Sequence, residues 1–178
     1  MKVLLISGSL RSGSSNTAVL RTARALVPEG ADSDLYMVLT ELPYFDPDLD
    51  QDPLPDSVAR LRERVHDADA LLFCTPEYAG ALPGAFKNLL EWLIGDADPR
   101  SISGKPVGYI NISAGPTAAR DAHDSLRKVL GFAGADLRVA AEIPVHRHMI
   151  GADGLISDPA VRGQAREVLE TLLSPDRR

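Results

Sequence analysis

Cysteine is almost missing: Cys74 is the single one in 178 residues. One thiol excludes an internal disulfide framework and is compatible with a reducing cytoplasm, the location expected here. Positive charge is in deficit, with 19 Lys plus Arg against 25 Asp plus Glu and a formal net charge of −6. That balance argues against a general nucleic-acid partner while leaving room for a local basic pocket. Long apolar runs are missing too, so no membrane partner is expected. The run Val3-Leu4-Leu5-Ile6 gives way to Ser7-Gly8-Ser9 and is far too short for a secretory signal. The triplet Asn111-Ile112-Ser113 is accordingly not expected to carry a glycan. What is present is an ordinary globular composition, 44% hydrophobic and 25% charged. A chain of this length buries roughly two-thirds of its unfolded surface. One domain over residues 1–178, needing neither disulfide nor metal, is the expectation.

Short apolar runs alternate with amphipathic stretches from end to end. Residues 3–6, 34–39, 70–74, 106–112 and 136–140 read as five strands. Residues 16–27 and 83–94 read as helices, the second with a proline at its start and Gly95 at its end. Helical spacing also links Val58, Leu61, Val65 and Ala68, then Ala122, Leu126, Val129 and Leu130, and finally Val161, Val168, Leu169 and Leu172. Residues 42–55 form a Pro/Asp-rich loop long enough to be functional, and residues 151–158 are rich in turn formers. Five strands alternating with five helices specify an α/β fold, and right-handed crossovers select a three-layer, doubly wound parallel sheet. Ligands of such sheets sit beyond the carboxyl ends of the strands, near the switch point. The loops of interest are therefore residues 7–15, 75–82 and 113–120.

The first loop reads Ser7-Gly8-Ser9-Leu10-Arg11-Ser12-Gly13-Ser14-Ser15-Asn16 and opens a helix. Small residues let backbone N–H groups approach an anion, and the helix N-terminus adds a favourable dipole. Ser9, Ser12, Ser14 and Ser15 supply hydroxyls, while Arg11 supplies a charged, forked donor. Together these read as a phosphate site; a Ser/Gly turn with an N-cap is the plain structural alternative. Gly8 and Gly13 have Walker spacing, but Ser14-Ser15 stands where Lys and a hydroxyl residue are required, so triphosphate hydrolysis is not expected. Leu10 fills the second glycine position of the dinucleotide fingerprint. Ser7 and Cys74, not acidic residues, end the first and third strands, which removes a phosphoacceptor domain. The second loop, Thr75-Pro76-Glu77-Tyr78-Ala79-Gly80-Ala81-Leu82, is suited to presenting backbone donors and an aromatic edge to a planar ligand. Taken alone it is equally good as plain architecture.

Jointly, the two loops resemble those of the NAD(P)H-dependent FMN reductases of the flavodoxin-like fold, relatives of chromate, quinone and azo reductases. The likeness rests on Gly8-Ser9-Leu10-Arg11 with Ser14 and Asn16, and on Pro76-Glu77-Tyr78 with Pro83-Gly84, Lys87-Asn88 and Trp92. Leu42-Pro43-Tyr44-Phe45-Asp46 and Asp153-Gly154-Leu155 are similar to two further family segments, so the resemblance covers nearly the whole chain. It implies that Ser9, Arg11, Ser14, Ser15 and Asn16 hold the FMN phosphate and ribityl chain. It also implies that Pro76, Glu77, Tyr78 and Gly80 line the isoalloxazine edge, mainly through backbone amides, with Ala79 beside the flavin. Ser113 and Gly115 would complete the far side. The implied activity is an oxidoreductase that takes hydride from NADPH or NADH onto FMN and passes electrons to a flavin, quinone or azo acceptor. No catalytic acid, base or nucleophile is expected, because the flavin carries the chemistry. A homo-oligomer, dimer or tetramer, is implied as well.

Two departures from the family pattern bear on nicotinamide placement and substrate more than on FMN. Ala79 replaces the usual asparagine, and Ala118-Ala119 replaces a glycine pair. They leave two rival readings: an FMN-binding electron carrier or redox sensor, and a degenerate member serving as an interaction module. The arginine in the first loop favours the reductase.

Other residues have blander readings. Cys74 reads as a buried, inert thiol. His146-Arg147-His148 puts two imidazoles on one side of an extended segment without acidic or cysteine companions, so a loop contact outweighs a metal pair and no metal is expected. Arg120 suits the 2′-phosphate of NADPH or is a solvated charge. Leu89, Trp92 and Leu93 form an apolar helix face for the core or a subunit contact. Residues 46–56 read as a solvated excursion, with Tyr44 and Phe45 beside it as candidates to cover the flavin or an interface.

Overall fold

A computed structural model describes all residues except 114, 116, 118 and 176–178. Its centre is a five-stranded sheet in the order β2-β1-β3-β4-β5, with every neighbouring pair parallel. The strands are β1 (Lys2–Ser7), β2 (Asp32–Tyr36), β3 (Ala70–Cys74), β4 (Pro106–Asn111) and β5 (Asp136–Glu142). Helices α1 (Ser15–Arg24), α2 (Asp56–His66), α3 (Gly84–Ile94), α4 (Arg120–Phe132) and α5 (Pro159–Leu172) connect and follow them. The expected three-layer, doubly wound, flavodoxin-like α/β architecture is thus present.

Both faces of the central strands are covered, which is why they read as continuous apolar runs rather than alternating ones. Val3 and Leu5 of β1 join Val19 and Leu20 of α1 and Val161 and Leu169 of α5 in one core. Leu4 and Ile6 point the other way, into a core built with Leu61 of α2, Leu89 of α3 and Leu126 of α4. The outer strands β2 and β5 are more exposed and carry charge, a usual protection of sheet edges. Arg64 of α2 clamps β2, donating to both carboxylate oxygens of Asp34 at 2.7 and 2.6 Å.

Three expectations change in the structure. The second strand spans Asp32–Tyr36 rather than residues 34–39, because its partner β1 ends at Ser7 and the ladder runs out at Ile6–Tyr36. Leu39 instead enters a short 3₁₀ turn and is buried. Helix α1 ends at Arg24, since the Leu26 N–H bonds to the Ala23 carbonyl and turns Leu26 into the core ahead of Pro28. Residues 46–56 are more than a solvated excursion. Asp50 lies 2.7 Å from Arg62, both side chains nearly buried, and Arg62 also donates to the Trp92 carbonyl at 3.1 and 2.8 Å.

The Asn88 and Trp92 positions of the second motif anchor the preceding loop. The Trp92 Nε1–H and the Asn88 amide both donate to the Pro43 carbonyl, at 2.9 and 2.8 Å. Asn88 Oδ1 accepts the Phe45 N–H at 2.7 Å. Phe45 packs edge-on against Trp92, with centroids 5.0 Å apart, so it serves the α3 face and not a flavin cover. Leu89, Trp92 and Leu93 are core residues. Tyr44 is 90% exposed.

Candidate functional site

The chain winds outward in opposite directions from β1 and β3, so the loops that follow these strands part at the switch point. Gly8 leaves β1 pressed against the start of the second loop, its N–H donating to the Cys74 carbonyl at 2.9 Å. A Cβ on Gly8 would meet Thr75 Oγ1 at 2.2 Å and Phe86 Cγ at 3.0 Å, so only glycine allows this approach. The first loop is stiffened from within. The Ser7 and Thr17 hydroxyls share a 2.8 Å hydrogen bond, and the Arg11 N–H donates to Ser9 Oγ at 3.3 Å.

Ser14 is the N-cap residue of α1, with extended backbone, yet its hydroxyl caps nothing. It is 3% exposed and its Oγ has no hydrogen-bond partner. The first N–H groups of the helix also lack intrahelical partners, as at any α-helix start. Here the plain N-cap reading fails: the hydroxyl that would serve it is left free, beside donors that need an acceptor.

Two cavities flank this loop. One, of about 290 Å³, is lined by Ser9, Ser12, Gly13 and Ser14 and runs outward past Arg21 to Met37 and Ile150. The other, of about 390 Å³, lies between the three loops and is walled by Asn16, Pro76, Glu77, Ser113, Thr117 and Ala119. Arg11 borders both, and Ser15 borders the second. The first loop's donors and the second cavity's walls are therefore continuous. Tyr78, Ala79, Gly80 and Gly115 are exposed and line neither cavity.

The second and third loops are tied by Glu77, whose Oε2 accepts the Ala122 N–H of α4 at 3.0 Å. Behind it, His123 is buried with Nδ1 2.8 Å from the Ala119 carbonyl and Nε2 unpartnered. Burial holds its pKa below the ordinary imidazole value, partly offset by the Ala119 carbonyl and by Glu77, Glu142 and Asp124. Ser113 accepts from the Gly115 N–H at 3.4 Å and donates its own N–H to Asn111 Oδ1 at 3.0 Å. Cys74 is fully buried, its thiol 3.2 Å from Asn16 Oδ1, and burial pushes its pKa upward, so it is protonated and unreactive.

The second loop closes on a tight turn. Tyr78 and Ala81 exchange two backbone hydrogen bonds of 3.0 Å around Ala79 (φ 52°) and Gly80 (φ 69°), the pattern of a type I′ turn. Ala119, at the head of α4, has φ 49°. Of the two departures from the family pattern, each described alanine therefore occupies the left-handed region that asparagine or glycine enters more cheaply. Ala118 lies outside the described residues.

Several site residues carried no signal in the sequence. Val145 lines the second cavity beside Thr117 of the third loop, and Arg21, Met37 and Ile150 line the first, because segments distant in sequence converge there. Arg120 is exposed at the start of α4 and lines neither cavity. The His146 and His148 rings stack with centroids 5.6 Å apart, and among the described residues no group of three ligating side chains includes them.

A doubly wound parallel sheet with free donors at its switch point, opening onto a cleft between adjacent loops, defines a nucleotide-binding protein of the flavodoxin-like class. The chain belongs to the NADPH-dependent FMN reductase family, which matches residues 1–154. It is 35% identical to an NAD(P)H-dependent FMN reductase of Pseudomonas aeruginosa, over 97% of this chain and 93% of that one. It is 32% identical to a quinone reductase of Escherichia coli, over 74% of this chain and 70% of that one. Among solved structures it is similar to FerB, a flavoenzyme NAD(P)H:(acceptor) oxidoreductase from Paracoccus denitrificans. That likeness has a TM-score of 0.81 and 29% identity, and it covers 96% of each chain. The chain is thus an FMN-dependent oxidoreductase supplied by a reduced nicotinamide nucleotide. Its residues fit that cofactor. An orphaned buried hydroxyl, uncapped helix N–H groups and the Arg11 guanidinium, which makes no ion pair among the described residues, are the donor set a phosphate dianion needs.

Proposed function

We propose that residues 1–178 form one FMN-binding domain of a cytoplasmic reductase that delivers electrons to a quinone-type acceptor. The quinone reductase among the relatives supports the acceptor class. The buried, unpartnered Ser14 hydroxyl at the head of α1 is the observation that carries the cofactor assignment. In this reading Ser9, Arg11, Ser14 and Ser15 grip the phosphate, with Asn16 at the ribityl chain. Pro76, Glu77 and Ser113 wall the ring cleft, with Tyr78, Ala79, Gly80 and Gly115 at its outer edge. Bound FMN supplies the redox chemistry, accepting hydride from the nicotinamide and releasing electrons to the acceptor. Glu77 holds the second loop against α4, and the Gly8 approach to Thr75 keeps the first and second loops in register.

A homo-oligomer is also proposed. An apolar hollow of about 520 Å³ borders Phe45, Ile94, Val129 and an 82% exposed Phe132 on α3 and α4, a face suited to a second copy. A monomeric mass by sedimentation at micromolar concentration would refute it.

Fluorescence titration with FMN tests the cofactor site. Arg11→Ala is expected to weaken binding by about 1.5–3 kcal/mol, a charge-assisted contact. Ser14→Ala is expected to weaken FMN by about 1 kcal/mol while leaving the flavin-free protein equally stable or more so, because a buried unsatisfied hydroxyl is destabilising. Opposite signs on binding and stability are the signature. Unchanged FMN affinity in both variants would remove the loop from the site.

A further inference from the structure

The residue that ends β3 reaches the site through a neighbour. Cys74 is fully buried, and its backbone is fixed in the seam between β1 and β3. It pairs with Ser7 across the ladder, and its carbonyl accepts the Gly8 N–H at 2.9 Å. Its thiol lies 3.2 Å from Asn16 Oδ1, in the first turn of α1 and 58 residues away in sequence. Burial pushes the thiol pKa upward, so the sulfur keeps its proton at neutral pH and can donate it. A thiol is a weak donor, and the amide oxygen is the acceptor set before it.

Asn16 is 8% exposed, and it lines the cavity between the three loops but not the one outside the first loop. An asparagine amide carries an acceptor at one end and two donors at the other. The partner of one end therefore decides what the other end presents. With Oδ1 held by the thiol, the nitrogen is the end left for the cavity. Nδ2 makes no hydrogen bond among the described residues. It stands beside the helix-start N–H groups that also lack intrahelical acceptors. A buried amide with one end pinned and a donor end unspent is arranged for a ligand acceptor atom. Without the thiol proton, the amide is free to turn its oxygen into the cavity, and the donor is lost.

We propose that Cys74 is a positioning residue for flavin binding: its S–H fixes the Asn16 amide with the nitrogen turned to the cavity, as a donor to FMN. This deepens the cofactor reading above and rests on it. Cys74 also packs in the core that joins the sheet to α1 and α5, so donor and volume have to be separated by experiment.

Cys74→Ser keeps a donor at similar size, whereas Cys74→Val fills the volume without one. FMN affinity is measured by flavin fluorescence for both, for Asn16→Ala and for the double variant Cys74→Val/Asn16→Ala, with the Tm of each. Cys74→Ser is expected to bind FMN within about twofold of wild type, and Cys74→Val about three- to tenfold more weakly whatever its Tm. In the Asn16→Ala background, valine is expected to cost no further affinity. Wild-type affinity in Cys74→Val, or an undiminished loss in the double variant, would overturn the proposal. A second readout needs no variant at Cys74 and no flavin. Cys74 is the one thiol in the chain, so the protein has a single S–H stretching band, which hydrogen bonding lowers. Asn16→Ala is expected to raise its frequency in the infrared, and an unmoved band would overturn the thiol–amide contact. Failure of wild type to bind FMN would instead overturn the cofactor reading, and the infrared shift would still decide the contact.

Discussion

At the scale of single residues, two small alanines separate shape from cost. Ala79 holds φ 52° in the type I′ turn, and Ala119 holds φ 49° at the head of α4. The left-handed region costs an L-residue roughly 1–2 kcal/mol, so the turn keeps its shape against a local penalty. Replacing Ala79 by asparagine, which tolerates this region, is expected to stabilise the protein by about 1 kcal/mol and raise Tm by about 2–4 °C. Calorimetry checks this; a lower Tm would show that no strain resides in the turn. The sequence made these positions visible only as departures from a pattern. The Ala79 backbone angle follows from hydrogen bonds between Tyr78 and Ala81, which no propensity reveals. Ser14 shows the converse: hydroxyl and position were legible, but its lack of a partner depends on the packing around it.

Elements are joined at the site by side chains rather than by sheet ladders. Glu77 reaches from the loop after β3 to the N-terminus of α4, satisfying the Ala122 N–H and complementing the helix dipole. Glu77→Ala is expected to cost about 1 kcal/mol, as loss of an N-terminal cap does, whereas Glu77→Gln keeps the acceptor oxygen and costs less. Urea unfolding of both variants checks the order, and equal losses would mean the acceptor oxygen is immaterial. Glu77 was expected at the flavin edge, and the structure sets it in the wall of the cavity between the three loops. Its partner on α4 was not legible, because 45 residues separate the two. The strands and helices themselves were legible, since buried parallel strands leave continuous apolar runs. Boundaries slipped where pairing or a proline decided them, at β2 and α1. The buried Asp50–Arg62 pair slipped too, because an aspartate in an acidic loop reads as solvated until its partner is seen.

For the whole molecule, the doubly wound sheet determines where function sits. It buries β3 and all of β1 beyond Lys2 and lets their carboxyl-end loops diverge, so the Ser-rich first loop and the cavity between the loops meet at one place. Its stability carries a pH signature from His123. Burial lowers that pKa in the folded state, so the unfolded chain takes up the proton first as pH falls. The associated stability is complete above the ordinary value of 6.5 and is lost as pH drops through the lower folded value. Denaturant unfolding across that window is expected to show the slope in wild type and a smaller one in His123→Phe. Identical slopes would mean that His123 is not the titrating group.

FMN binding at this switch point, within reach of a reduced nicotinamide, is what the proposed function requires. Its most direct measurement is the visible spectrum of the purified protein with FMN, taken before and after anaerobic addition of NADPH and then NADH. The site described here predicts a protein-bound oxidised-flavin band that bleaches promptly on adding a donor. FMN that stays unbound, or a bound band that neither donor bleaches, would contradict it.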